Sequence, residues 1–372
     1  MTEVVYILKI LLYFLLLYGV YHTAKYRYAI HKPLSWRSIL VYVLFFGIYA
    51  IIIGNPETKQ DRYIYAISYV DPYWDVSETE SPGLNFAYNI LRPISLNPNF
   101  LYFVFYVVYM GLTLIAYRFY KSAKPQALLF LLCSLYPIFG FYALKQCIAN
   151  VFVLLAFVVY FNLHERRKGL GKTIYAWSFI IVLLAGAISF HEAAMIVPLV
   201  FLLFVFWKYK IVRILGYWGI IVGLVCIAPL FNYIFGSIGS LSENLAQQTA
   251  NYDAGLGFTS NILTGIKGLP FYIITYIAIK YRRVYHASVG NYDKYLLLSI
   301  LVSCFHVCSI YNYWLFRFAL FFYFPVMVFA QNFCSVLVRS HRSRRWLSFA
   351  FWTCLALSVK EIAQLYFLYG GV

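Results

Sequence analysis

Apolar stretches of roughly 17 to 25 residues, the length an α-helix needs to cross a bilayer, recur along this chain at about 3–22, 36–54, 99–119, 124–140, 142–163, 173–190, 191–208, 211–235, 262–281, 293–311, 314–338 and 345–368. The pattern predicts an all-α, polytopic membrane helical bundle of about 12 spans, organised as one integral membrane domain over 1–372. Two pairs of stretches, meeting near Gly140 and His191, are so tight that each reads either as two spans or as one span with a re-entrant piece. Between the second and third stretches the pattern changes: residues 55–98 are neither apolar nor plainly basic, and they carry Glu57, Asp61, Asp71, Asp75, Glu78 and Glu80, six of the chain's 13 acids. A loop this long is uncommon inside a compact protein unless it is functional or disordered, and its many Tyr and Trp argue against disorder. Within it, Glu80-Ser81-Pro82-Gly83 reads as a helix start, with Ser81 as N-cap and Pro82 at the first helical position. The helix should run to about Arg92, before Pro93, with Leu84, Ala87 and Leu91 on one face, as a short interfacial element. A second loop is expected at 236–261.

Composition agrees with a membrane protein: 63% of residues are hydrophobic, 12% are charged, and the mean hydropathy is +0.74. The net charge of +17 changes meaning once the cations are placed. Lys25, Arg27, Lys32 and Arg37 follow the first stretch; Arg118, Lys121 and Lys124 the third; Arg166, Arg167, Lys168 and Lys172 the fifth. Lys208, Lys210 and Arg213, then Lys280, Arg282, Arg283 and Lys294, then Arg339, Arg342, Arg344 and Arg345 continue the alternation, accompanied only by the acids Glu165 and Asp293. Every second connection is basic, so the cations report topology, with those loops cytoplasmic and both ends of the chain outside. Nucleic acid is excluded as the reason for the charge. The first stretch lacks the basic region and small-residue cleavage site of a signal peptide and reads as a span. The 37 Tyr suggest interfacial belts and, in excess of that, the lining of a polar cavity. The seven Cys lie in apolar runs and read as small buried hydrophobes.

Chemistry is expected on the non-basic face. Asp61-Arg62-Tyr63-Ile64-Tyr65 opens the long loop and leads into Tyr69-Val70-Asp71-Pro72-Tyr73-Trp74-Asp75. Glu80 and Arg92 bracket the predicted interfacial helix, which reads either as a lid with solvated acids or as part of a site. Lys145 and Gln146 stand at the mouth of the fifth span, where a lysine either snorkels or binds, according to its depth. His191-Glu192 sits at a hairpin flanked by apolar residues, where a charge is expensive unless it is solvated or used. His191 and His306 are the two histidines outside the basic connections. Arg317, near the outer end of the eleventh span, keeps its charge and needs an anion or a carboxylate, whereas Lys9 in the first span reads as a snorkelling anchor. No GxxxxGK[ST], no GxGxxG after a strand and no HExxH occurs, so nucleotide-loop and zinc-protease chemistry find no support. The pair Glu78-x-Glu80 is a weak signal for a divalent cation.

In this order the residues resemble the EpsG and Wzy-type polysaccharide polymerases of bacteria: Asp61-Arg62-Tyr63, Glu80-x-Pro82-Gly83, Lys145-Gln146-x-Ile148-Ala149, Phe190-His191-x-x-Ala194 and a late span containing Arg317. Two positions depart from the family's usual pattern: Lys145 stands where an arginine is more usual, and Glu192 where a small or hydroxyl residue is. The resemblance implies a GT-C-like membrane glycosyltransferase, independent of metal and cofactor, in the cytoplasmic membrane with its active site facing outwards. It would transfer a growing glycan from undecaprenyl diphosphate onto a newly flipped lipid-linked repeat unit, with a chain-length regulator as a possible partner. In that scheme Arg62, Arg92, Lys145, Gln146 and Arg317 bind the diphosphate, His191, Glu192 or Glu80 acts as base, and Tyr65, Tyr73 and Trp74 stack on sugars. The alternative is a lipid-linked oligosaccharide flippase, for which charges should line a path between two related halves; no internal repeat is visible.

Overall fold

The structure, a computed structural model, describes residues 2–53, 61–71, 81–121, 123–141, 143–164, 170–239, 262, 264–311, 315–336 and 341–367, and every regular element among them is helical. In chain order these are α1 (Thr2–Ala29), α2 (Trp36–Ile52), α3 (Asp61–Val70), α4 (Pro82–Leu91), α5 (Pro98–Phe119), α6 (Pro125–Leu132), α7 (Tyr136–Phe139), α8 (Leu144–His164) and α9 (Leu170–Phe190). A 3₁₀ turn (Glu192–Met195) leads into α10 (Ile196–Val205), followed by α11 (Lys210–Gly239), α12 (Leu269–Lys280), α13 (Arg282–Ser288), α14 (Tyr292–Cys308), α15 (Leu315–Leu320), α16 (Tyr323–Val336) and α17 (His341–Phe367). Among the described residues 5 helices are long and apolar enough to cross a membrane, lying within α1, α5, α8, α9 and α17; Trp36–Ile52, Glu192–Val205 and Leu269–Lys280 are shorter apolar helices. The protein is a polytopic membrane protein.

Several expected spans are interrupted. The stretch 124–140 forms two short helices, α6 and α7, and 314–338 is broken between α15 and α16. A broken helix frees backbone groups that hydrocarbon cannot satisfy, so protein donors must replace the lost bonds. Around α7 they do: the Tyr109 hydroxyl donates to the Tyr136 carbonyl at 2.6 Å, Tyr106 to Pro137 at 2.9 Å, and Ser358 to Cys133 at 2.7 Å. The same device recurs elsewhere. Tyr49 donates to the Lys9 carbonyl, Tyr102 to Arg62, Tyr272 to Gly265 and Tyr292 to Ala278. These tyrosines tie helices and turns together through main-chain carbonyls, a role the sequence reading did not assign them.

The chain forms two compact units, one of Met1–Val76, Glu80–Glu192 and Cys354–Val372, the other of Ser77–Thr79 and Ala193–Thr353. In the first, α2 packs on α5, α5 on α8, and α8 on α9. Gly47 makes the α2–α5 approach possible, since a Cβ there would lie 2.6 Å from Val107 and 2.7 Å from Phe103. Gly140 does the same for the turn after α7, pressed against Tyr106 and Tyr109. By contrast α1 leaves Leu8, Leu11, Leu15 and Tyr18 exposed, as a lipid-facing helix should. In the second unit α14 is central, touching α11, α12, α15 and α16. It is buried almost all round, and small hydroxyls join it to α12: Thr275 Oγ1 lies 2.6 Å from Ser299 Oγ and 2.8 Å from Ser303 Oγ.

Candidate functional site

Among its described residues the long loop carries two helices. They are α3 and α4, and α4 begins at Pro82 behind Ser81 and ends at Leu91 with Arg92 as C-cap, as the Ser-Pro signal and Pro93 predict. The Ser81 side chain makes no capping bond, so Pro82 at the first position and packing hold the helix start. Leu84, Tyr88 and Leu91 are buried on one face of α4, with Ala87 packed beside them. They join Tyr65 and Tyr69 of α3, Leu101, Tyr102 and Phe105 of α5, and Leu144 and Ile148 of α8 in one apolar cluster, against which Phe152 and Phe190 also pack.

That cluster brings together motifs far apart in the chain. Gly83 of the Glu80-x-Pro82-Gly83 motif lies against the Phe190 ring so closely that a Cβ would stand 2.6 Å from it. Phe190 immediately precedes His191, and Leu144 and Ile148 flank Lys145 and Gln146. His191 is half-buried, its N–H closing the last turn of α9 on the Ala187 carbonyl at 3.0 Å, and Glu192 is exposed at the start of the 3₁₀ turn. Lys145 is half-buried and Gln146 buried.

Charge and helix direction separate the cations of this unit. Arg62 is 3% exposed; its Nη2 donates to the Ala50 carbonyl at 2.7 Å and its Nη1 to Phe141 at 3.1 Å, with the guanidinium 3.7 Å from the Tyr102 ring centroid. Arg92 donates from Nη2 to Ser68 at 2.6 Å and from Nε to Tyr69 at 3.1 Å. Ala50 lies in the last turn of α2, and Ser68 and Tyr69 in the last turn of α3. Both arginines thus cap carbonyls at negative helix ends, where a cation is stabilised. Lys145 is in the first turn of α8, where its charge adds to the positive pole of the helix dipole. Arg62 and Arg92, expected at the diphosphate, donate to main-chain carbonyls, and Lys145, expected there too, stands at the start of α8.

Tyr65, expected to stack on sugar, is buried in the apolar cluster, its carbonyl accepting from the Tyr88 hydroxyl at 3.1 Å. Burial pushes the Tyr88 phenol well above its ordinary range, keeping it a neutral donor. Tyr73, Trp74 and Glu80 lie outside the described residues.

In the second unit Arg317 is half-buried on α15. The adjoining Phe316 ring lies beneath Lys267, whose Nζ is 5.5 Å from its centroid although the residue is only 8% exposed. His306, fully buried, stacks on Phe271 at 5.4 Å and has its Nε2 2.8 Å from the Tyr323 hydroxyl. Gly268 lets the turn before α12 reach it, since a Cβ there would lie 2.4 Å from His306 Cβ. Sequence reading passed over Lys267 and noted His306 without giving it a role. The signals were a lone lysine inside an apolar stretch and one of two histidines outside the basic connections.

Residues 38–369 match the sequence profile of the EpsG family. Neither a curated protein nor a solved structure matches the chain.

Proposed function

The chain belongs to the EpsG family of membrane proteins, implicated in exopolysaccharide biosynthesis, and on that footing we propose that it is a polymerase joining lipid-linked oligosaccharide repeat units by glycosyl transfer on the outer face of the cytoplasmic membrane. The observation that carries the reading is the gathering of the α4 start, the Lys145 helix start and the Phe190-His191 hairpin around one apolar cluster.

The reaction needs two things from the protein. A hydroxyl of the acceptor sugar bonds to the anomeric carbon of the donor and gives its proton to a base; the bond from that carbon to the diphosphate oxygen breaks, and its electron pair leaves with the lipid diphosphate. His191, half-buried at a helix end, suits the base, with Glu192 and Glu80 as the carboxylate candidates. Lys145, on the positive end of α8, suits the departing diphosphate, where charge develops. Arg62 and Arg92 act at one remove, by holding α3 and α4 in place.

His191→Ala and Arg317→Ala are expected to abolish long-chain polysaccharide while the protein remains in the membrane, with single repeat units still exported. Unchanged ladders on a gel of extracted glycan would refute the assignment. Repeat units stranded inside the cell would indicate a flippase.

A further inference from the structure

A cavity of about 370 Å³ opens in the first unit at the end carrying the α1–α2 connection, lined by Ala24, Tyr28, His31–Leu34, Tyr117, Arg118, Tyr120, Lys121 and Ala123. Its described lining has three permanent cations and a histidine and no carboxylate. Basic connections of membrane proteins are ordinarily solvated and convex; here the cations converge on a hollow between two helix ends.

The local backbone explains how. α1 ends in a Schellman arrangement, His31 N–H donating to Tyr28 at 3.0 Å and Lys32 N–H to Arg27 at 2.9 Å, with His31 in the left-handed region at φ 54°. Glycine usually occupies that position because a side chain there is strained. On the opposite wall Arg118 donates to the Leu34 carbonyl and lies 4.7 Å from the Trp36 ring centroid, which fixes its guanidinium at the cavity's edge. Lys32 and Lys121 are exposed. The rim is apolar: Trp36 and Phe119 are more than half exposed, their rings 6.0 Å apart, and Ile30 is 39% exposed.

Cations and tyrosines lining the hollow, with exposed aromatic rings beside them, fit a ligand that is anionic at one end and greasy at the other. We propose that this cavity binds the phosphate headgroup of an anionic phospholipid, in the leaflet that the basic connections assign to the cytoplasm. Basic pockets between membrane helices on that side suit such headgroups, and each cation near an anionic surface contributes several-fold in affinity. The site stands apart from the polymerase reading and survives its failure.

The test uses the full chain in detergent, titrated with phosphatidylglycerol or phosphatidylcholine and followed by native mass spectrometry. Wild type should retain phosphatidylglycerol preferentially, and the double variant Lys32→Gln/Lys121→Gln should lose roughly 30-fold of that affinity. His31→Gly is the second variant: it relieves the backbone and removes the ring, so the protein should melt no lower than wild type yet bind the lipid more weakly. Equal retention of both lipids, or a double variant that binds like wild type, would overturn the proposal. So would displacement of the lipid by millimolar inorganic phosphate, which would make this a site for a free anion.

Discussion

Arg62 separates two accounts of the loop. If it is a fastener, Arg62→Ala removes two charge-assisted hydrogen bonds, to Ala50 and Phe141, and a close cation–π contact with Tyr102. Each such hydrogen bond is worth about 1.5 to 3 kcal/mol, and the desolvated ring contact about 2 kcal/mol. Relaxation and water entry recover part of this, so a net loss of about 3 to 5 kcal/mol is expected, the range for breaking a buried charged network. Arg62→Lys should lie between, because an ammonium keeps the charge but not the planar fork that reaches two carbonyls at once. The assay is thermal unfolding of detergent-purified protein followed by fluorescence-detected size exclusion, run beside glycan ladders from the same cells. The apparent melting temperature should fall in the order wild type, Lys, Ala, with glycan yield falling in step with folded protein. Wild-type melting in both variants together with lost ladders would refute the fastener account and return Arg62 to the diphosphate.

Gly83→Ala should cost about 1 to 3 kcal/mol of packing, because its Cβ would strike the Phe190 ring at 2.6 Å; Phe190→Leu in the same chain should restore both glycan length and melting temperature. Tyr109→Phe leaves the Tyr136 carbonyl without its 2.6 Å donor and should destabilise by about 1 to 3 kcal/mol; Tyr63→Phe, at an exposed position, should melt like wild type. Asp293 stands 3.4 Å from Arg282, 3.8 Å from Arg213 and 3.5 Å from His286, partners that are substantially exposed. Asp293→Asn should therefore cost only about 1 kcal/mol, and its melting point should rise with salt, which screens the remaining like charges.

Hydropathy and the positions of the cations were enough to identify a helical membrane protein, to place α2, α5, α8, α9 and α14 within a few residues, and to start and stop α4 at Pro82 and Leu91. Those features are local: span length, helix propensity and capping chemistry depend on neighbours in the sequence. The break at α15–α16 was not legible, and that at α6–α7 only as the re-entrant alternative near Gly140, because a hydropathy average sees apolar side chains and is blind to carbonyls such as those that Tyr106, Tyr109 and Ser358 satisfy around α7. Nor was the division of labour among the cations. Arg62, Arg92 and Lys145 look alike in a sequence, as polar residues amid apolar ones. Only the folded chain sets the guanidiniums of Arg62 and Arg92 against carbonyls in the last turns of α2 and α3 and puts Lys145 at the start of α8, surroundings of opposite sign that arise from helix direction and packing and not from neighbours in the sequence.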